Sequence, residues 1–568
     1  MNTGVISPQA RVAALAAMSA GDELDVLVVG AGVVGAGAAL DAATRGLSVG
    51  LLEARDFAGG TSSRSSKLIH GGLRYLEMLD FALVREALRE RGLLIQRLAP
   101  HLVRPVPFLY PLQHRAWERF YVGAGVALYD TLALSADGSG LPRHRHLSRT
   151  QAIKAFPSLR PDSLVGAIRY YDAQVDDARH TMFLVRTAMA HGAHVAARTE
   201  VTGFLREGRR VIGVRARDAE TGAEMEIRAR TVINATGVWT GDSQALLAGE
   251  REQFKITASK GIHLVVPRDR ISGRTGMILR TATSVLFVIP WERHWIIGTT
   301  DTAWDLDKTD PAASGRDVDY LLDEVNKALA TPLTRDDVQG VYAGLRPLLS
   351  AASSSTAKLS REHAVGTPVP GLVVVAGGKY TTYRVMAKDA VDAAARDLTT
   401  RVPSSCTDQV PLLGAAGFRA AWNRRALLAR RAGLHVGKVE HLLRRYGTLV
   451  DEVLALIEQD PSLGTPLEGA PDYLRAEIVY AVTHEGARTL DDVLARRTRI
   501  SFETADRGVA AALTTAQLIA GALGWTEADA EREVAAYRAH IAAELNAQRQ
   551  PDDETADAAQ RDLAPLAA

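Results

Sequence analysis

The sequence holds one cysteine, Cys406, in 568 residues. A lone thiol allows no intrachain disulfide and no multi-cysteine metal site, and it fits a reducing, cytoplasmic setting. Net charge is nearly absent too: 67 Lys and Arg face 66 Asp and Glu, leaving +1. That excludes a nucleic-acid binder working by global charge, so any anionic partner needs a local basic cluster. No hydrophobic run is long enough to span a bilayer. The longest uncharged stretch, Gly508 to Thr526, contains Thr514, Thr515 and Gln517, while Val509, Leu513, Ile519 and Leu523 recur near helical spacing. It reads as a core helix. The short apolar run Val12 to Ala20 follows Arg11. Residues 1–23 read as a flexible extension with a little helix rather than a signal peptide. What is present, 47% hydrophobic and 23% charged residues, suits a large globular chain of roughly three or four folding units.

The apolar run Leu24 to Val29 leads straight into Gly30-Ala31-Gly32-Val33-Val34-Gly35, then an Ala-rich helical stretch, then Leu47 to Leu52 ending in Glu53. This is G-x-G-x-x-G between strand and helix, with an acid about twenty residues on, the pattern of a dinucleotide site. Gly30 makes the turn, Gly32 lets pyrophosphate approach, and Gly35 lets helix and strand pack. The helix N-terminus offers N–H donors to phosphate. Glu53 can accept from the ribose hydroxyls and would repel a 2′-phosphate, which disfavours NADP. The fingerprint does not choose between FAD and NAD.

Two later strand-to-turn segments bear on that choice. One is Val232 to Gly237 (VINATG), with Ala235 and Gly237 in the turn. The other runs from Leu372 through Gly377-Gly378-Lys379-Tyr380-Thr381-Thr382 to Tyr383-Arg384. Each reads as an anion- or carbonyl-binding helix start or as an ordinary βα turn. A chain returning to the dinucleotide crevice near its end suits a flavin. The Ser-rich stretch Thr61 to Lys67 could donate hydroxyls and N–H groups to a cofactor, or be a surface loop.

The stretch Thr61 to Leu76 (TSSRSSKLIHGGLRYL) resembles the signature of FAD-dependent glycerol-3-phosphate dehydrogenases, most closely the actinobacterial form. Further segments match in family order: Val175 to Arg179 (VDDAR), Lys260 to His263 (KGIH), Ile297 to Asp301 (IGTTD), Gly344 to Leu348 (GLRPL), Ser360 to Glu362 (SRE) and Gly377 to Arg384 (GGKYTTYR). The resemblance covers nearly the whole chain. It implies an α/β fold of the D-amino-acid-oxidase-like superfamily. An FAD-binding Rossmann-like domain (24–400, discontinuous) is interleaved with an antiparallel-sheet substrate domain (about 85–170 and 250–345). A C-terminal α-helical domain (405–545) then caps or dimerises the enzyme, and an Ala/Asp-rich tail (546–568) reads as disordered. The implied reaction is oxidation of sn-glycerol 3-phosphate to dihydroxyacetone phosphate, with electrons passing through FAD to a membrane quinone.

The resemblance also implies a site. Thr61, Ser62, Ser65, Ser66, Lys67, Gly71, Gly72, Ala235, Gly237, Gly378 and Thr381 join Gly30, Gly32, Gly35 and Glu53 around non-covalent FAD, and His70 is not taken as an attachment point. Arg74, Tyr75 and Arg361 hold the phosphate, since a dianion favours bidentate arginine. Arg346 and Lys379 polarise the C2 oxygen, and His263 is the base because imidazole titrates near working pH. On residues alone His263, followed directly by Leu264-Val265-Val266, reads rather as a core histidine, and Arg346 could be a surface arginine. No metal is expected. Arg104 to Leu134 mixes Pro105, Pro107, Phe108, Tyr110, Trp117, Phe120 and Tyr121 with Arg104, Arg115 and Arg119. It reads as an interfacial membrane surface or as a packed core or dimer contact. A homodimer, peripheral on the cytoplasmic face, is the expected state. Rival readings are an oxygen-using glycerol-3-phosphate oxidase, an amine or amino-acid oxidase, and a non-catalytic FAD-binding module.

Overall fold

The run Leu24–Val29 becomes the middle strand of a parallel core because every residue but one is apolar and buried, as a strand covered on both faces requires. It pairs in parallel with Val49–Leu52 on one side and with the end of Glu224–Asn234 on the other, aligning Val28 with Leu51 and with Ile233. Leu372–Gly377 continues the sheet beside Asn234 and His194–Ala196 extends the opposite edge. Thr199–Glu207 and Arg210–Asp218 form, with Glu224–Asn234, the antiparallel meander that the alternating pattern of 201–232 predicts. The computed structural model describes residues 4–72, 80–114, 117–135, 141–162, 164–247, 249, 253–281, 285–349 and 363–563.

A second sheet of ten strands carries the other half of the site. Its long strand Ile256–Pro267 pairs antiparallel with Gly340–Leu349, His294–Gly298 and Thr302–Trp304. Alternation then decides function. Ile262 and Leu264 face a core packed against the helix Gly315–Asn326, while Ser259, Gly261 and His263 share the other face. The register sets Ser259 opposite Arg346, Gly261 opposite Gly344 and His263 opposite Tyr342.

Helices dominate beyond residue 415, including Val436–Tyr446, Val450–Gln459, Arg475–Thr483, Val509–Leu523 and Glu527–Ala547. The uncharged stretch is a helix, yet its buried face is Ala511, Ala512, Thr515, Ala516 and Ile519, and Leu513 is exposed. No described helix is long and apolar enough to cross a membrane.

Both chain ends correct the sequence reading. Pro8–Ser19 is a helix capped by Ser7, with Arg11, Ala14, Leu15 and Met18 buried. Arg11 bonds Asp218 at 2.5 Å and Ala197 O at 2.8 Å, so this segment is packed structure and not a loose extension. The expected disordered tail contains the helix Asp553–Leu563, with Asp557 and Gln560 buried. Its Ala/Asp composition hid acceptors that meet donors far away in sequence.

Candidate active site

The fingerprint loop and the face of the second sheet bearing Ser259, Gly261 and His263 enclose a cavity of about 970 Å³. At one end Gly30 takes a φ of 96°, which a glycine tolerates freely. A Cβ on Gly35 would lie 1.8 Å from Gly30 O, so only glycine lets the helix start this close to the turn. Val33 N donates to Ser62 Oγ at 2.9 Å, bringing the Ser-rich segment to the helix N-terminus. Glu53 accepts from Ala31 N at 2.8 Å and from Arg55 N at 3.0 Å. Burial pushes its carboxyl up and those two N–H groups oppose it. A helix start beside a glycine turn, a cradle kept clear of side chains and an acid lining the same cavity fit a dinucleotide pyrophosphate.

At the other end Arg346 is held in place before anything binds. Its Nη2 donates to Thr299 Oγ1 at 2.9 Å and Thr300 O at 3.2 Å, its Nη1 lies 3.4 Å from Ser259 Oγ, and Asp301 is 3.5 Å away. A Cβ on Gly261 would meet Arg346 Nη2 at 2.4 Å and Thr299 Oγ1 at 2.5 Å. Glycine in the KGIH segment therefore makes room for the guanidinium. The glycine of IGTTD does the same for His263, since a Cβ on Gly298 would sit 2.3 Å from His263 Cδ2. His263 stacks on Tyr342 with ring centroids 4.8 Å apart, and its Nε2 is 2.8 Å from Ser66 Oγ. Its Nδ1 is buried with no hydrogen-bond partner. Burial, with Arg346 and Lys67 nearby, lowers its pKa well below the imidazole range. His263 is thus neutral at working pH, which corrects the expectation that it titrates there.

Gly30, Gly32, Glu53, Thr61, Ser62, Ser65, Ser66, Gly72, Ala235, Gly237, His263, Arg346, Gly378 and Lys379 all line the cavity, as does His70. Four expected cofactor residues do not. Gly35 acts one layer back, through packing. Gly71 N donates to Tyr129 Oη at 2.8 Å, and Thr381 Oγ1 donates to His70 O at 3.2 Å. Lys67 is fully buried, with Nζ bonded to Asp177 Oδ1 at 2.8 Å and Ser63 O at 3.1 Å. Its side chain braces the loop, and burial beside Arg499 lowers its pKa to about 8. Arg74, Tyr75 and Arg361 lie outside the described residues.

The family model for FAD dependent oxidoreductases matches residues 25–392, and that for the C-terminal domain of alpha-glycerophosphate oxidase matches 405–530. A glycerol-3-phosphate dehydrogenase of Mycobacterium leprae is 56% identical over 552 residues, 97% of this chain and 94% of that one. The chain belongs to the FAD-dependent glycerol-3-phosphate dehydrogenases. The human mitochondrial glycerol-3-phosphate dehydrogenase is 36% identical over 95% of this chain and 76% of its own. A Bacillus halodurans glycerol-3-phosphate dehydrogenase solved in complex with FAD superposes with a TM-score of 0.77 at 30% identity, covering 94% of this chain and 98% of that one. The fold is the α/β architecture of this family, a mixed FAD-binding part followed by the helical C-terminal domain, and FAD is its cofactor.

Family membership also recasts the VDDAR segment, whose charges serve a joint between domains. Asp177 accepts from Lys67, from Ser65 Oγ at 2.7 Å and from Arg499 at 2.7 Å, and Asp176 also pairs with Arg499. Arg179 meets Glu485 at 2.6 Å. Sequence reasoning missed six further cavity-lining residues: Arg55 and Arg64, close to Glu53 and within the Thr61 to Leu76 stretch, and Asp310, Asp491, Arg496 and His540 from far along the chain. Arg55 and Arg64 sit beside quoted motifs and were legible as cations near phosphate. The residues from 491 onward carry no local signal.

Proposed function

We propose that this chain oxidises sn-glycerol 3-phosphate to dihydroxyacetone phosphate, the electrons passing on to a membrane quinone. The observation that carries this reading is the placement of Arg346. A guanidinium fixed by four oxygen-bearing neighbours shares one cavity with the dinucleotide cradle, His263 and Lys379. When bound, FAD supplies the acceptor for the hydride that leaves C2. Arg346 and Lys379 stabilise the C2 oxygen as negative charge grows on it. His263, kept unprotonated by burial, takes the hydroxyl proton. Arg74, Tyr75 and Arg361 are proposed to hold the phosphate.

Anaerobic titration of the yellow holoenzyme with sn-glycerol 3-phosphate tests this directly. Bleaching of the oxidised-flavin band at stoichiometric substrate is expected. No bleaching with FAD bound would sink the substrate assignment. Re-oxidation by a quinone analogue, much faster than by oxygen, is the outcome that supports a quinone acceptor.

A homodimer on the cytoplasmic face of the membrane belongs to the same proposal. What supports the membrane contact is the helix Trp117–Ser135, which exposes Phe120, Tyr121 and Leu128 at helical spacing, with Phe120 78% exposed. Aromatic side chains on one outward face suit insertion among lipid headgroups. Co-sedimentation with anionic vesicles, weakened by F120S, is the expected result. Sedimentation velocity reads the dimer.

A further inference from the structure

The loop between Thr302–Trp304 and Gly315–Asn326 borders the cofactor cavity, with Thr309 and Asp310 in its lining. It is fastened from two sides. From the cofactor-binding domain, Arg55 Nη1 donates to Thr309 O at 3.0 Å and Arg64 Nη2 pairs with Asp310 Oδ1 at 2.9 Å. These arginines stand two residues after Glu53 and Ser62. From the C-terminal end, Gln560 Nε2 donates to Asp310 Oδ2 at 2.6 Å and to Asp310 O at 3.0 Å. His540 Nδ1 lies 3.6 Å from the same Oδ2, and His540 itself lines the cavity. The end of the loop is tied as well: Gly315 N donates to Gln550 O at 2.8 Å, and Ser314 Oγ and Lys260 Nζ meet Asp553 Oδ1 at 2.9 and 2.6 Å.

We propose that the segment from His540 to Gln560 is a working part of the cofactor site, fastening this loop as a wall of the cavity and so governing how long FAD is retained. The segment lies wholly beyond residue 530, where the match to the C-terminal family model ends. It reaches the cavity through the buried His540, and it holds the loop through the polar side chains of Gln560 and Asp553. His540 is the key member. Burial alone would push it down, but Asp310, Glu544 and Asp491 outweigh burial and raise it to about 10. Its two ring nitrogens address different carboxylates, Nδ1 toward Asp310 and Nε2 toward Glu544 at 3.5 Å. The ring therefore lies between two carboxylates, within ion-pair range of each, although Nδ1 makes no hydrogen bond. A metal ion would need both carboxylates on the side of one nitrogen, although the three groups come within 4.8 Å. Asp310 thus sits partly buried between the Arg64 guanidinium and the His540 ring. Releasing either cation leaves a poorly compensated charge in the cavity wall.

The test uses full-length holoenzyme, H540Q, Gln560→Ala and a truncation after Arg549. FAD release on dilution is followed by the rise of free-FAD fluorescence. Release about five-fold faster or more is expected for H540Q and for the truncation, because each removes contacts that fasten the loop as a wall of the cavity. FAD-replete H540Q should keep an unshifted flavin absorbance, since the Gly30 to Gly35 turn and Glu53 are untouched. Release within two-fold of wild type in both point variants overturns the proposal. So does faster release accompanied by an equal rise in KM, which marks general loosening. If the truncation fails to fold, the point variants decide alone.

Discussion

Gly261 shows how much of this site is decided by an absent side chain. Its missing Cβ is the space that Arg346 Nη2 and Thr299 Oγ1 occupy, so Gly261→Ala forces the guanidinium to shift by about an ångström. Misplacement on that scale costs on the order of 10²-fold in kcat/KM. Retained FAD absorbance together with that loss is the expected result, and a variant of normal kcat/KM would remove Arg346 from the reacting centre. His263 yields a second prediction of the same grain. Its pKa is lowered well below the imidazole range, so it is already neutral at its ordinary titration point near pH 6.5. The pH profile of kcat/KM should therefore lack an acid limb near that value. A limb there that disappears in His263→Gln would show that the imidazole titrates normally and is open to solvent. Residue identity could name His263 and Arg346 as candidates. It could not reveal that the KGIH segment alternates, sending His263 to the cavity and Lys260 to the opposite face.

Elements whose signal is local were legible and those defined by distant partners were not. Leu24–Val29, the glycine fingerprint and the 201–232 meander carry their own period, so strand, turn and pairing followed from spacing. Pro8–Ser19 carries a weak period in Ala-rich sequence and Asp553–Leu563 has few large apolar residues, and what orders them lies elsewhere in the chain: Asp218 and Ala197 for one, Lys260, Ser314 and Asp310 for the other. The N-terminal helix supplies a prediction of its own. Deleting residues 1–20 exposes the surface that Leu15 and Met18 cover and leaves buried Asp218 without Arg11. Two buried apolar side chains at about 1.5–3 kcal/mol each, with about 3–5 kcal/mol for the unpaired buried charge, place the loss at about 6–11 kcal/mol. Urea unfolding of the holoenzyme measures it, and an unchanged midpoint would return this segment to the status of a loose extension.

Across the whole molecule, buried ions hold the helical domain on the cofactor domain. Asp56 accepts from Arg497 at 2.6 and 2.7 Å and from Arg496 at 2.5 Å; Arg179 pairs with Glu485, and Asp176 and Asp177 with Arg499. Such pairs add little over apolar packing, but breaking one costs about 3–5 kcal/mol because its partner stays buried and charged. The domains should therefore unfold together, in one calorimetric transition, and Asp56→Ala should lower the midpoint and separate a second transition. Two resolved transitions in the unaltered protein would contradict the joint. Acid acts on the same assembly from another direction. His101 and His180 are buried and held neutral, each lowered to about 3 by burial, with Arg179 adding to the effect at His101. A depressed histidine contributes its full stability above the unfolded value near 6.5 and loses it as pH falls toward 3. Carboxylates held low by their arginine and histidine partners, such as Glu477 at about 2, keep theirs until lower pH. Stability should thus begin to fall below about pH 6.5, before any carboxylate of the joint is protonated. His101→Leu should flatten the slope between 6.5 and 3 in denaturant midpoints measured against pH, and an unchanged slope would mean that His101 is already charged in the folded protein.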